Sequence, residues 1–277
     1  MPQPLARVST TEQTLETPRS HHLSHGTPRP ATPTWTVRRK PVANRPTLAT
    51  RRFNIMWLAE NGDIMDDTLS APALPAFEAA FNAFGRGSLV QTTNGLTAVE
   101  DLLPGDMIET AEGDTLPITW IGSVELDHIG RRTEGATPEK LYRLTGDALG
   151  FGHPTHDLML GAGARYLLRA EALKSYLGTA HALAPVSAMA DGLSMIEITP
   201  ISTVRCYHIC LPQHRLIRVN GVELETYHPG IAASSQLQGD LRTRFMSLFP
   251  HMENLGDFGA MAHPRLTPTD LIEIGLL

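Results

Sequence analysis

FGRGSLVQTTNGLTAVEDLLPGDMIETAEGD, residues 84–114, decides how the rest of the chain is read. Asn94-Gly95 is a pair favoured by two-residue hairpin turns. Leu103-Pro104-Gly105-Asp106 is a second reversal. There Pro104 presets φ, Gly105 tolerates positive φ, and Asp106 can bond backbone close by. Between the turns lie short segments with strand composition, "SLVQTT", "LTAVEDL" and "MIET". Glu100, Asp101 and Asp106 fit turn and strand-edge chemistry in this setting rather than catalysis.

Outward from this block the same pattern continues. "TLPITWIGSVEL" (115–126) alternates as one long strand, with Trp120 and Ile121 as core residues. "MIEITPISTVRCYHICLPQHRLIRVNGVELETY" (195–227) returns to β pattern after a mixed stretch with a helical piece near Glu171 to Leu177. Upstream, "RRFNIMWLAENGDIM" (51–65) reads as strand, Asn61-Gly62 turn and strand. Pro75 then opens a helix expected over Ala76 to Phe84, with Phe77, Phe81 and Phe84 on one face and Gly85 just past its end. Beyond Pro229 the chain is loop-rich. Short helices are expected at "LRTRFMSLF" (241–249) and "TPTDLIEI" (267–274), the latter capped by Thr267 or Thr269. The fold class is mainly β with a few short helices.

Composition narrows the function classes. With 277 residues and 42% hydrophobic residues, the chain can bury a sizeable core. No apolar run approaches the roughly 20 residues of a membrane helix. The two cysteines, Cys206 and Cys210, set up no disulfide framework, so the compartment stays open. "TRRF" (50–53) is weak as a twin-arginine export signal, because the apolar run after it is short and meets acids. Residues 1–52 carry nine Lys or Arg and two Glu, whereas the rest carry 14 basic and 27 acidic residues. That leader is rich in Pro, Thr, Ser and His and reads as disordered. It is the sole pointer to nucleic acid, a weak one without interleaved aromatics; a protein partner of unknown identity fits as well.

"GSLVQTTNGLTAVEDLLPGDMIETAEGDTLPITWIG" (87–122) resembles the opening of the Hint (Hedgehog/intein) fold, in its bacterial subgroup. "HRLIRVNGVELETY" (214–227) resembles the closing strands. The resemblance implies a Hint domain over 84–228, with a hairpin and helix lead-in at 53–83, and an extension at 229–277. It also implies self-processing, autoproteolysis or protein splicing, as the ancestral chemistry. In that reaction a Cys or Ser attacks the preceding carbonyl while a histidine protonates the departing nitrogen.

Two positions depart from that pattern. Counting back from Gly87, the nucleophile falls at Ala83. In "DLMLGAGARYLL" (157–168) the block histidine falls at Ala164, with Gly161 and Gly163 where polar residues are expected. The resemblance therefore implies a copy impaired or inactive in the usual reaction. The substitutes are Ser88, the nearest hydroxyl, His214, which falls where the family places a histidine, and Thr226, at the position of a Hedgehog-type cysteine. The alternative is a non-catalytic β-rich binding or structural module. Cys206, His208 and Cys210 would share one strand face and form a weak metal candidate, although their spacing matches no zinc pattern. "HPTH" (153–156) reads as a solvated loop. No cofactor motif is present, and none is expected to bind.

Overall fold

Asn61 and Gly62 reverse the chain between β1 (Thr50–Leu58) and β2 (Ile64–Pro72), which pair antiparallel along their whole length. They belong to a computed structural model that describes residues 49–127 and 139–277, within a unit spanning Pro46–Leu277. The basic leader lies outside the described residues apart from its last few positions.

Helix α1 (Pro75–Glu78) starts at Pro75 as expected but ends well short of Phe84. Phe84 instead opens β3 (Phe84–Gly85), paired with Leu160 on one side and Tyr207 on the other. Two ladders of sheet pairing override the helix propensity of the segment. Phe77 and Phe81 are still fully buried, so their spacing reported burial rather than helix length.

β4 (Leu89–Thr92) and β5 (Gly95–Ala98) form the hairpin expected at Asn94-Gly95. The following Val99–Asp101 is a 3₁₀ turn rather than extended chain. Val99 N–H donates to Ser88 O at 2.8 Å, and the Glu100 carboxylate accepts Gly87 N–H at 2.8 Å, which curls it back. Gly105 takes φ +98°, Asp106 Oδ2 accepts Leu103 N–H at 2.8 Å, and β6 (Met107–Glu109) leaves the turn. The alternating stretch after it is two strands, β7 (Thr115–Pro117) and β8 (Trp120–Leu126), in different sheets. The chain changes sheets at Ile118 and Thr119, whose N–H groups donate to Asp106 O at 2.9 Å and Cys210 O at 3.0 Å.

The remaining strands are β9 (Leu141–Leu144), β10 (Leu158–Gly161), β11 (Arg165–Arg169), β12 (His181–Pro185), β13 (Met195–Ile198), β14 (Val204–Cys210), β15 (Leu216–Val219) and β16 (Val222–Glu225). α2 (Ala172–Leu177) joins β11 to β12, and α3 (Ala233–Gln236), α4 (Asp240–Met246) and α5 (Pro268–Ile274) follow the last strand. Thr267 caps α5 in a reciprocal box with Asp270. All named strand pairs are antiparallel. One sheet runs β13-β9-β10-β3-β14-β8-β1-β2, and the other β12-β11-β16-β15-β4-β6-β7, with β5 beside β4.

Two cores result. One lies between the sheets, with Phe84, Val90, Ile108, Leu160, Ile217 and Leu224 among its members. The other is aromatic. Trp120 stands in its middle, edge-on to Phe81 at 5.3 Å and tilted against Phe249 at 4.6 Å, and Trp120 Nε1–H donates to Leu248 O at 2.8 Å. The lead-in, through Phe53, Phe77 and Phe81, and the extension, through Phe245 and Phe249, thereby share one core.

Candidate functional site

β3 threads between β10 and β14, and this fixes the residues just ahead of it. Ala83 is fully buried; its N–H donates to Tyr207 O at 3.1 Å, and its carbonyl accepts Gly161 N–H at 2.8 Å. The Asn82 carbonyl accepts Gly163 N–H at 2.7 Å. The peptide group joining Asn82 to Ala83 is thus held at both ends.

Gly161 and Gly163 leave the space this needs. A Cβ on Gly161 would lie 1.7 Å from Asn82 Oδ1 and 2.6 Å from Asn82 O. One on Gly163 would lie 2.6 Å from Asn82 O and 2.8 Å from Ala79 O. Ala164 is buried behind them, its N–H donating to Gly161 O at 3.1 Å and its carbonyl accepting Val186 N–H at 3.1 Å.

The substitute candidates do not come together. Ser88 is buried and its hydroxyl donates to Gly85 O at 2.6 Å. The next residue is tied to Asn220, since Leu89 N–H donates to Asn220 Oδ1 at 2.7 Å. His214 lies beyond the opposite end of β15, separated from Asn220 by about 20 Å of extended chain. Thr226 is near His214 in sequence pairing, but its hydroxyl donates to Arg215 O at 2.8 Å and accepts Arg215 N–H at 3.1 Å, closing a strand pair.

His214 belongs to a buried charge cluster that sequence reasoning missed. Its Nδ1 accepts Ala262 N–H at 2.8 Å, and its Nε2 lies 3.0 Å from Glu225 Oε1. Arg265 Nε donates to the same oxygen at 2.7 Å, and a further Arg265 nitrogen donates to His228 O at 2.6 Å. Arg165 approaches the other Glu225 oxygen no closer than 3.8 Å. Burial alone would raise the Glu225 pKa, but the His214 contact and the two guanidiniums overcome it and hold it down at about 2. Glu225, Arg165 and Arg265 sit far apart in sequence, and no motif links them.

Cys206, His208 and Cys210 do share one face of β14, as alternation requires, but they do not form a ligand set. Cys206 and Cys210 are free thiols sunk in the aromatic core. Burial pushes the Cys206 thiol up to about 12 and raises Cys210 well above its ordinary value. His208 is packed edge-on to Phe84 and Tyr227, each at 5.3 Å, and its Nδ1 accepts Ile209 N–H at 3.1 Å. Burial pushes its pKa down to about 3, leaving a neutral ring. Among the described residues, no group of three or more His, Cys, Asp or Glu is placed to hold a metal ion. His153 sits in an exposed loop, its Nδ1 2.8 Å from Gly221 O. No helix among the described residues is long and apolar enough to cross a membrane.

The sequence model described as the Hint domain matches residues 82–231, from the held peptide at Asn82 through the closing strands. The chain belongs to the Hint domain family. Its mainly β architecture of two curled antiparallel sheets is the Hint fold. A solved bacterial intein-like domain from Clostridium thermocellum is similar at 12% identity with a TM-score of 0.32, covering 53% of this chain and 99% of that chain. No curated protein matches.

Proposed function

We propose that this Hint domain has lost self-processing by the family's usual route and serves as a non-catalytic β-rich structural or binding module. The observation that carries the reading is the pair of buried alanines. Ala83 stands at the nucleophile position and Ala164 at the block histidine, with no exposed surface at the first and almost none at the second. Neither side chain can attack a carbonyl or move a proton, so the acyl shift has no first step here. Ser88 does not replace them, because its hydroxyl is bound to Gly85 O and makes no hydrogen bond to a histidine among the described residues.

The measurement is intact mass under denaturing conditions, followed over days with and without hydroxylamine and thiol. The expected result is a single species at 30.2 kDa throughout. Fragments divided at Asn82-Ala83 or Gly87-Ser88 and accelerated by nucleophile would overturn the proposal. Loss of those fragments in Ser88→Ala would assign the surviving reaction to Ser88.

A further inference from the structure

β2 is the last strand of its sheet. It pairs with β1 along its whole length, and no strand lies on its other side among the described residues. Asp63 O accepts Ala59 N–H at 2.9 Å, and Ala49 O accepts Ala73 N–H at 2.8 Å, so the odd-numbered residues of β2 bond to β1. Ile64, Asp66, Thr68 and Ser70 therefore turn their N–H and C=O groups outward. Such an edge is a template for a further strand, which proteins often cover or twist away with a bulge. Here the ladder is unbroken, and every residue from Ile64 to Thr68 is exposed. The cover it has is local: Asp67 Oδ1 accepts Thr68 N–H at 2.6 Å.

The side chains choose the occupant. Glu60, Asp63, Asp66 and Asp67 all stand exposed on this hairpin, and the ion pairs of the described residues include none of them. The cations of the hairpin are at its other end. Arg51 is paired with Glu78, and Arg52 lies across from Ser70, about 13 Å along the strand from Asp66. A second copy of the chain is a poor occupant: in the antiparallel register that sets Ile64 against Ser70, Asp67 would face its own copy, and like charges set opposite are destabilising. Lys or Arg in that place is favoured. Ile64 and Met65, 47% and 45% exposed, add an apolar contact next to the Asn61-Gly62 turn.

We infer that the outer edge of β2 takes up a basic, extended segment of a partner protein as a further strand of the sheet, with two adjacent Lys or Arg residues set against Asp66 and Asp67. Main-chain bonds hold the segment, and the two carboxylates select it. The inference goes beyond the loss of cleavage and stands without it; intact mass of the same sample reports cleavage separately.

The test is fluorescence anisotropy of the full chain with a labelled peptide of alternating valine and threonine that carries two adjacent arginines at its centre. It should bind with a Kd of about 100 µM or tighter. The same peptide with every backbone amide N-methylated should bind at least about tenfold more weakly, because it keeps the charges and loses the ladder donors. Asp66→Asn with Asp67→Asn should weaken binding about tenfold and flatten its salt dependence. Thr68→Pro, which removes an outward N–H and no bond to β1, should block the edge with the charges intact. Urea midpoints near that of the wild type should show both variants folded. No binding up to about 1 mM, equal binding of the methylated peptide, or binding unchanged in both variants would each overturn the inference. So would a dimer, seen by sedimentation, that Thr68→Pro dissociates, since a second copy would then hold the edge.

Discussion

The carbonyl oxygen of Asn82 accepts the N–H of Gly163 at 2.7 Å. On the function proposed above, this is the carbonyl that the family's reaction would attack, and the grip on it is a prediction to test by putting the attacking atom back. Ala83→Cys with Ala164→His should restore thiol- and hydroxylamine-sensitive cleavage between residues 82 and 83, slower in Ala83→Cys alone. Fitting the imidazole into a packed site should cost about 1–3 kcal/mol of stability. Denaturing mass spectrometry reads the fragments; an intact double variant that is folded would show that the grip is misaligned for attack.

The two glycines should be intolerant for different reasons. Gly163→Ala meets main-chain oxygen at 2.6 and 2.8 Å, which cannot move aside locally. Gly161→Ala meets the Asn82 side chain first, at 1.7 Å. Each should destabilise by about 2–3 kcal/mol. Asn82→Gly should relieve part of the Gly161→Ala loss and none of the Gly163→Ala loss, measured by denaturant unfolding of the single and double variants.

The extension should be an integral part of the fold. Trp120 donates to Leu248 O and packs on Phe249 across the boundary between Hint domain and extension. Phe249→Ala should cost about 3–5 kcal/mol, and Trp120→Phe, which strands a buried carbonyl, about 1–3 kcal/mol. A wild-type melting curve for either would refute the shared core.

Acid should weaken the protein in two windows. His208 has a folded pKa of about 3 against an ordinary 6.5, so the unfolded state binds the extra proton between them. Stability therefore falls as pH drops from 6.5 toward 3. Glu225, held at about 2 against 4.5, loses its contribution as pH falls from 4.5 toward 2. His208→Leu should flatten the first limb by about 1.4 kcal/mol per pH unit. The check is the urea midpoint measured from pH 7 to pH 4 for both proteins; parallel curves would count against a neutral buried His208.

Native Cys206 and Cys210 should resist iodoacetamide, because both thiols are buried and their pKa values raised by that burial. Labelling should appear only with denaturant. Modification of folded protein within minutes would contradict the packing of β14.

The turns were the most legible part of the sequence. Asn61-Gly62, Asn94-Gly95 and Pro104-Gly105 act locally, and each produced the reversal its residues dictate. The helix expected up to Phe84 failed because strand pairing with Leu160 and Tyr207 is non-local. The single strand expected over 115–126 failed because an alternating pattern continues unbroken through a change of sheet. At the site, counting from Gly87 and along 157–168 leads to Ala83 and Ala164, and both are buried. Arg165, Glu225 and Arg265 could not be reached in this way, since only the folded chain brings a residue of the extension to β11 and β16.

Residues Asn54 to Trp57 of β1, upstream of the held peptide in sequence, are paired with Trp120 to Ser123 in β8, downstream of it. An ancestor that cut its chain ahead of β3 would not have let the upstream piece go. The piece would have stayed clamped as a strand of the sheet, with Phe53 and Phe81 still sunk beneath it. A cut ahead of β3 would therefore leave both pieces in one folded body. On the function proposed above, losing the nucleophile would leave that assembly as it was.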